Sequence, residues 1–205
     1  MAASLVSPSD AACVRSPGDR VVVIGSSCAG KSTFARALAV SRGCALIELD
    51  ELYWAPNWTP KPPAEFLRLV DQASAGERWV AAGNYGLARE RLWGRATTIV
   101  WLNFGLPRVF WRGLRRTVAR VASGEELFQG NRESFRQSFL SRESILWWIL
   151  STFHRRRREF EALRDAGTFA HLRWCEARTP HEADALLRRL QAGTPAARDP
   201  RPPRP

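Results

Sequence analysis

The sequence predicts an α/β fold, a parallel sheet with helices on both faces. Three observations predict it. Short apolar runs alternate with helical patterns along most of the chain. The first run, residues 21–24, breaks at a glycine-rich turn that opens directly into a helical pattern. The chain has 205 residues of which 45% are hydrophobic, enough for one domain with a core of its own.

The elements follow in order. Residues 1–19 are small and polar, and read as a flexible leader. No signal-type apolar region is present in them, so a cytoplasmic protein is expected. Residues 20–24 form a strand and 31–41 a helix. A second strand covers 45–49. A helix over 63–75 has proline in its first turn. Strands are expected at 79–82 and 97–102, a helix at 107–123 and a long helix at 143–165. A fifth strand is expected at 169–174 and a last helix at 181–191. The folded domain is therefore 20–191. Residues 192–205, rich in Pro, Arg and Ala, form a disordered tail. The apolar run 145–150 is far shorter than the ~20 residues that span a bilayer, so no membrane association is expected.

The turn after the first strand carries the chemistry. Gly25, Ser26, Ser27, Cys28, Ala29, Gly30, Lys31 and Ser32 match G-x-x-x-x-G-K-[ST], and Thr33 continues into the helix. The glycines let backbone N–H groups point inward, and the helix adds its positive end. Lys31 reaches the β- and γ-phosphates of a nucleotide, and the Ser32 hydroxyl is placed for Mg²⁺. ATP and Mg²⁺ are the expected ligands. Cys28 reads as a small turn residue. Four scattered cysteines without C-x-x-C spacing give no zinc site.

Other residues are expected to complete the site. Ligands of such sheets bind at the carboxyl ends of the strands. Asp50 falls just past the second strand, with Glu48 and Glu51 nearby, and is assigned to a substrate hydroxyl or to the metal through water. Asn84 and Tyr85 follow the third strand after Gly83, at the same edge. Tyr53, Trp54 and Trp58 either stack on a base or pack neighbouring helices.

Charge adds a further constraint. The chain carries 31 Lys and Arg against 20 Asp and Glu, a net +11, and its only lysines are Lys31 and Lys61. Such a surplus attracts polyanions, and arginine forks suit phosphate. On the 107–123 helix, Phe110, Leu114, Val118 and Val121 form the expected core stripe. Arg112, Arg116 and Arg120, with Arg115 beside them, form a face without an intervening acid, which favours a polyphosphate partner. Residues 124–142 contain Gly124, Gly130, Arg132, Arg136 and Arg142 and read as a segment that closes over phosphates. Arg155–Arg158 are followed by Glu159 and Glu161 and read as a solvated helix face.

The phosphate loop, the segments 49–58, 79–85 and 130–135, and the arginine-rich helix together resemble bacterial adenylate-kinase-like P-loop proteins. Some of these are named DNA topology modulation proteins. The likeness covers about 20–190. It implies a nucleoside-monophosphate-kinase fold: a three-layer P-loop NTPase domain with a five-stranded parallel sheet in the order 2-3-1-4-5 and a helical lid. By this resemblance Arg116, Arg120 and Arg132 clamp phosphates. Two positions depart from the family: Ala82 and Asn103 stand where it often has Asp, leaving Ser32 and Asp50 as the main oxygen ligands of the metal. Two functions stay open. One is transfer of the γ-phosphoryl of ATP to a nucleotide, nucleoside or other small acceptor. The other is a nucleic-acid-associated regulatory ATPase. Oligomeric state is not legible.

Overall fold

Five short segments rich in Val, Ile, Trp and Ala form the central sheet of the computed structural model, which describes residues 19–123 and 145–192. They are β1 (Arg20–Gly25), β2 (Ala45–Glu48), β3 (Trp79–Ala82), β4 (Thr98–Leu102) and β5 (Arg173–Ala177). Every pairing is parallel, and the order is 2-3-1-4-5, as expected. β1, β3 and β4 are buried almost end to end, as strands covered on both faces must be.

The helices are α1 (Lys31–Arg42), α2 (Leu49–Tyr53), α3 (Pro63–Ala73), α4 (Arg89–Arg95), α5 (Leu106–Ser123), α6 (Ile145–Asp165) and α7 (Pro180–Ala192). They cover two cores. On one face Val21, Val23, Ala82 and Val100 meet Phe34 and Leu38 of α1 and Leu186 of α7. On the other, Val22, Ile24, Ile99 and Trp101 meet Phe66 of α3 and Leu92 and Trp93 of α4. α6 contributes to both. Its Ile149 and Phe153 belong to the first core and its Phe160 to the second. The turns between Phe153 and Phe160 therefore link the two sides.

Three expectations are corrected. The fifth strand lies at Arg173–Ala177 and not at 169–174. Phe169 and Leu172 are instead packed core residues of the approach to it, after a turn at Gly167 with φ 66°. The helices α2 and α4 are additional, as is a two-stranded ribbon pairing Trp54–Ala55 with Thr59–Pro60. The buried face of α5 is turned relative to the expected stripe. Val109, Gly113 and Thr117 face inward, Phe110 and Leu114 are half-buried, and Val118 is 52% exposed.

The expected leader (1–18), the expected lid (124–142) with Arg132, and the expected tail (193–205) lie outside the described residues. Asp19 is described, and it forms an ion pair with the buried Arg42 at 2.7 Å. Among the described residues no helix is long and apolar enough to cross a membrane.

Candidate active site

The loop between β1 and α1 is shaped by left-handed backbone. Gly25, Cys28 and Gly30 have φ of 148°, 64° and 95°. A Cβ at Gly25 would lie 2.6 Å from the Leu102 carbonyl oxygen, so only glycine fits there. The Ala29 N–H donates to the Ser26 carbonyl at 3.1 Å and closes the turn. α1 then begins at Lys31 with no side chain capping its first N–H groups. An uncapped helix start beneath a glycine-bounded loop is a ready anion cradle.

Lys31 lies along this loop and donates from Nζ to the Ser26 carbonyl at 3.0 Å. Its pKa is lowered to about 8, chiefly by desolvation and, among its charged neighbours, by Arg156 and Arg116, while Asp50 and Cys28 oppose the shift. A phosphate beside the ammonium would favour the charged form. Ser32, one residue on, donates its hydroxyl proton to Oε2 of Glu48 at 2.8 Å. Glu48 ends β2 and is only 6% exposed, and burial raises its pKa.

Asp50 is not the acid that meets Ser32. It sits in the first turn of α2, where Oδ1 accepts the Tyr85 hydroxyl at 2.6 Å. The Tyr85 hydroxyl is buried and its pKa is pushed up, by desolvation first and then by the Asp50 charge. Asp50 still acts electrostatically on Lys31, so the carboxylate and the ammonium share one site. Tyr53 packs on Tyr85 (ring centroids 4.5 Å), Trp54 on Tyr53 (4.9 Å) and Trp58 on Trp54 (5.7 Å). An aromatic wall thus runs from the Asp50–Tyr85 pair into the ribbon. Lys61 fixes that ribbon by donating to the Leu52 carbonyl at 3.0 Å.

Asn84 stands at the expected edge and is engaged by the phosphate loop. Its amide bonds both backbone groups of Gly25: Oδ1 accepts from the N–H at 3.3 Å, and Nδ2 donates to the carbonyl. It ties the end of β3 to the start of the phosphate loop. Asn103 is also engaged elsewhere, donating to Oε1 of Glu176 at 2.7 Å.

Arginines approach the loop from two helices. Arg112 of α5 donates from Nη1 to the Ala29 carbonyl at 3.5 Å, and its guanidinium lies over Gly30. Arg116, one turn further, is half-buried and felt at Lys31, and its Nε is buried without a partner. The side chain of Arg120 lies outside the described residues, as does Arg132. Arg156 corrects the reading of Arg155–Arg158 as a solvated face. Its Nη1 donates to the Asn84 carbonyl at 3.3 Å, its guanidinium stacks 5.6 Å from the Trp148 ring, and its charge reaches Lys31. The passage of α6 between the two cores puts it there. Within the basic run Arg155 and Arg158 are exposed, and Arg157 pairs with Glu161 at 3.3 Å.

No protein-family model matches the chain, and no curated protein sequence matches it. Solved structures do resemble it. A gluconokinase from Sinorhizobium meliloti 1021 is 19% identical with a TM-score of 0.50, over 87% of this chain and 93% of that one. A shikimate kinase from Bacteroides thetaiotaomicron is 15% identical with a TM-score of 0.50, over 85% and 97%. At such identity the likeness shows the fold alone.

Proposed function

We propose that the protein is a kinase of small molecules, moving the γ-phosphoryl group of ATP to a hydroxyl of a small acceptor. The observation that carries the reading is the meeting of Lys31, Arg116 and Arg156 at the phosphate loop with one carboxylate, Asp50, on the acceptor side. The cations suit the charge that spreads over a transferring phosphoryl group. Asp50, oriented by Tyr85, accepts a hydrogen bond from the acceptor hydroxyl. The acceptor oxygen bonds to the γ-phosphorus, the bond from that phosphorus to the β,γ-bridging oxygen breaks, and the hydroxyl proton passes to Asp50. ADP leaves. Hard oxygen donors at Ser32 fit Mg²⁺, which when bound neutralises phosphate charge.

Arg116 and Arg156 hold the phosphates, and Arg112 holds the loop from outside. Asn84 keeps Gly25 in place, a positioning role. Tyr53 and Trp54 line the acceptor side. The neighbours act, by their names, on gluconate and shikimate, which supports a small polyhydroxy acceptor as well as the nucleotide implied by the adenylate-kinase-like resemblance. Against the nucleic-acid reading, Arg156 is engaged on the loop side of α6, where it donates to the Asn84 carbonyl and stacks on Trp148.

The test is a scan of nucleoside monophosphates, nucleosides, sugar acids and other small hydroxyl compounds with γ-labelled ATP, with product identification by mass spectrometry. A single labelled product is expected. ATP hydrolysis stimulated by duplex DNA, with no labelled acceptor, would replace the proposal with the regulatory ATPase.

A further inference from the structure

Three consecutive residues after β3 touch separate parts of the candidate site. Gly83 continues the pairing with β1, donating its N–H to the Val23 carbonyl at 3.3 Å. Its φ is 146°, and a Cβ there would lie 2.7 Å from Cβ of Leu49, the first residue of α2, so glycine is required. Asn84 bonds both backbone groups of Gly25 with its side-chain amide, and its own carbonyl accepts from Nη1 of Arg156 at 3.3 Å. Tyr85 donates its hydroxyl proton to Asp50 at 2.6 Å and packs its ring on Tyr53 at 4.5 Å.

The amide of Asn84 holds the two peptide planes that flank Gly25, where the phosphate loop begins. A change of those planes is carried, one residue along the chain, to the ring that orients Asp50. From there the contacts run on through Tyr53 and Trp54 to Trp58. The ribbon at the end of this series is tied back to α2, since the Lys61 N–H donates to the Tyr53 carbonyl at 2.9 Å. Its tip is the weak part. Pro56, Asn57, Thr59 and Pro60 are exposed, and Asn57 and Trp58 hold φ of 58° and 53°, uncommon for a residue as bulky as tryptophan. A short exposed ribbon with strained backbone opens locally at little cost, so it registers any added order.

We propose that residues 83–85 couple the two halves of the site: phosphate held by the loop fixes Asn84, and through Tyr85 orders Asp50 and the ribbon before the acceptor arrives. Asn84 is thereby a positioning residue for the acceptor side as well as for the loop. By linkage, an acceptor on the ribbon side tightens the nucleotide by the same factor. The inference rests on the phosphate loop being the nucleotide site.

Metal-free ADP is the probe, with calorimetry giving its affinity and hydrogen–deuterium exchange read by mass spectrometry in peptides 26–34 and 52–61. In the parent, saturating ADP should slow exchange in both peptides, in the ribbon by about fivefold, the low end of couplings between sites. Asn84→Ala should bind ADP more weakly. At saturation it should still protect 26–34 and lose the protection of 52–61. Asn84→Gln, which keeps a donor and an acceptor, should recover part of that protection. A merely structural Asn84 would instead raise exchange in both peptides alike, with or without ADP. Ribbon protection equal in parent and Asn84→Ala, or absent from the parent, overturns the coupling. Should Asn84→Ala fail to fold, Tyr85→Phe decides the matter: ADP affinity within about two-fold and reduced ribbon protection are expected, and undiminished protection overturns the coupling. Absence of ADP binding by the parent would strike the nucleotide-site reading beneath it.

Discussion

Replacing Arg116 by alanine is expected to lower kcat by about 10³–10⁵-fold, the scale of a lost arginine at a phosphoryl-transfer site. Its Nε is buried and unpartnered in the free protein, and its charge is felt at Lys31. Among the described residues no carboxylate pairs with this guanidinium, so its cost of burial is offset when phosphate arrives. Most of the gain belongs to the transition state, so ATP affinity should change much less than kcat. Arg116→Lys should recover only part of the rate, because an ammonium keeps the charge and loses the fork. Arg156→Ala should follow the same pattern, whereas Arg158→Ala, on the exposed side of α6, should leave turnover within about two-fold. The same variants separate the competing function. If the arginine face served DNA, each lost phosphate contact would reduce the salt slope of DNA binding by about one, and phosphotransfer would survive.

The second large effect belongs to Asp50. Asp50→Asn should reduce kcat by about 10²–10⁴-fold, as expected for loss of a general base, and leave ATP affinity within a few-fold. Asparagine is isosteric and still accepts the Tyr85 hydroxyl, so the packing of α2 against Tyr85 should persist. Tyr85→Phe removes only the orienting hydroxyl and should give a smaller loss in kcat. Steady-state kinetics with the acceptor found in the scan, together with calorimetry for ATP, read both quantities. Full turnover in Asp50→Asn would show that the residue serves only to start α2.

The sheet and the phosphate loop were legible because their signals are local. Strand, glycine turn, Lys31 and Ser32 occupy one continuous stretch, and the apolar runs of β1, β3 and β4 are buried on both sides. β5 was displaced in the reading because it is an edge strand, paired only with β4, and carries Arg173 and Glu176. The more apolar stretch before it, with Phe169 and Leu172, serves the core without joining the sheet. α4 was missed because it is short, charged and interrupted by Gly94, and buries only Leu92 and Trp93. On α5 the expected stripe followed the largest apolar residues. The helix instead turns Gly113 and Thr117 inward, where small side chains allow close approach.

The site residues that escaped notice are those whose roles depend on distant partners. Glu48 reads only as an acid near Asp50 until its register with Ala82 and its bond to Ser32 are seen. Arg156 is hidden in a run of four arginines, and only the path of α6 between the two cores separates it from its neighbours. Asn84 stands at the expected edge, but the sequence does not reveal that its amide bonds Gly25. Asp50 was read correctly as a residue at the carboxyl edge, but the sequence did not reveal Tyr85 as its partner.

The central claim is that Gly25–Ser32 holds the phosphates of ATP through Lys31, and calorimetry of ATP–Mg²⁺ binding to the parent and to Lys31→Ala tests it most directly. Titrations at pH 8 in buffers of different ionisation enthalpy also count protons. Burial lowers the Lys31 pKa to about 8 in the free protein, so the parent should take up protons on binding as phosphate draws the ammonium into its charged form. Lys31→Ala should bind at least tenfold more weakly, lose that proton uptake, and keep a native circular dichroism spectrum. Equal ATP affinity and equal proton uptake in parent and variant would contradict the account.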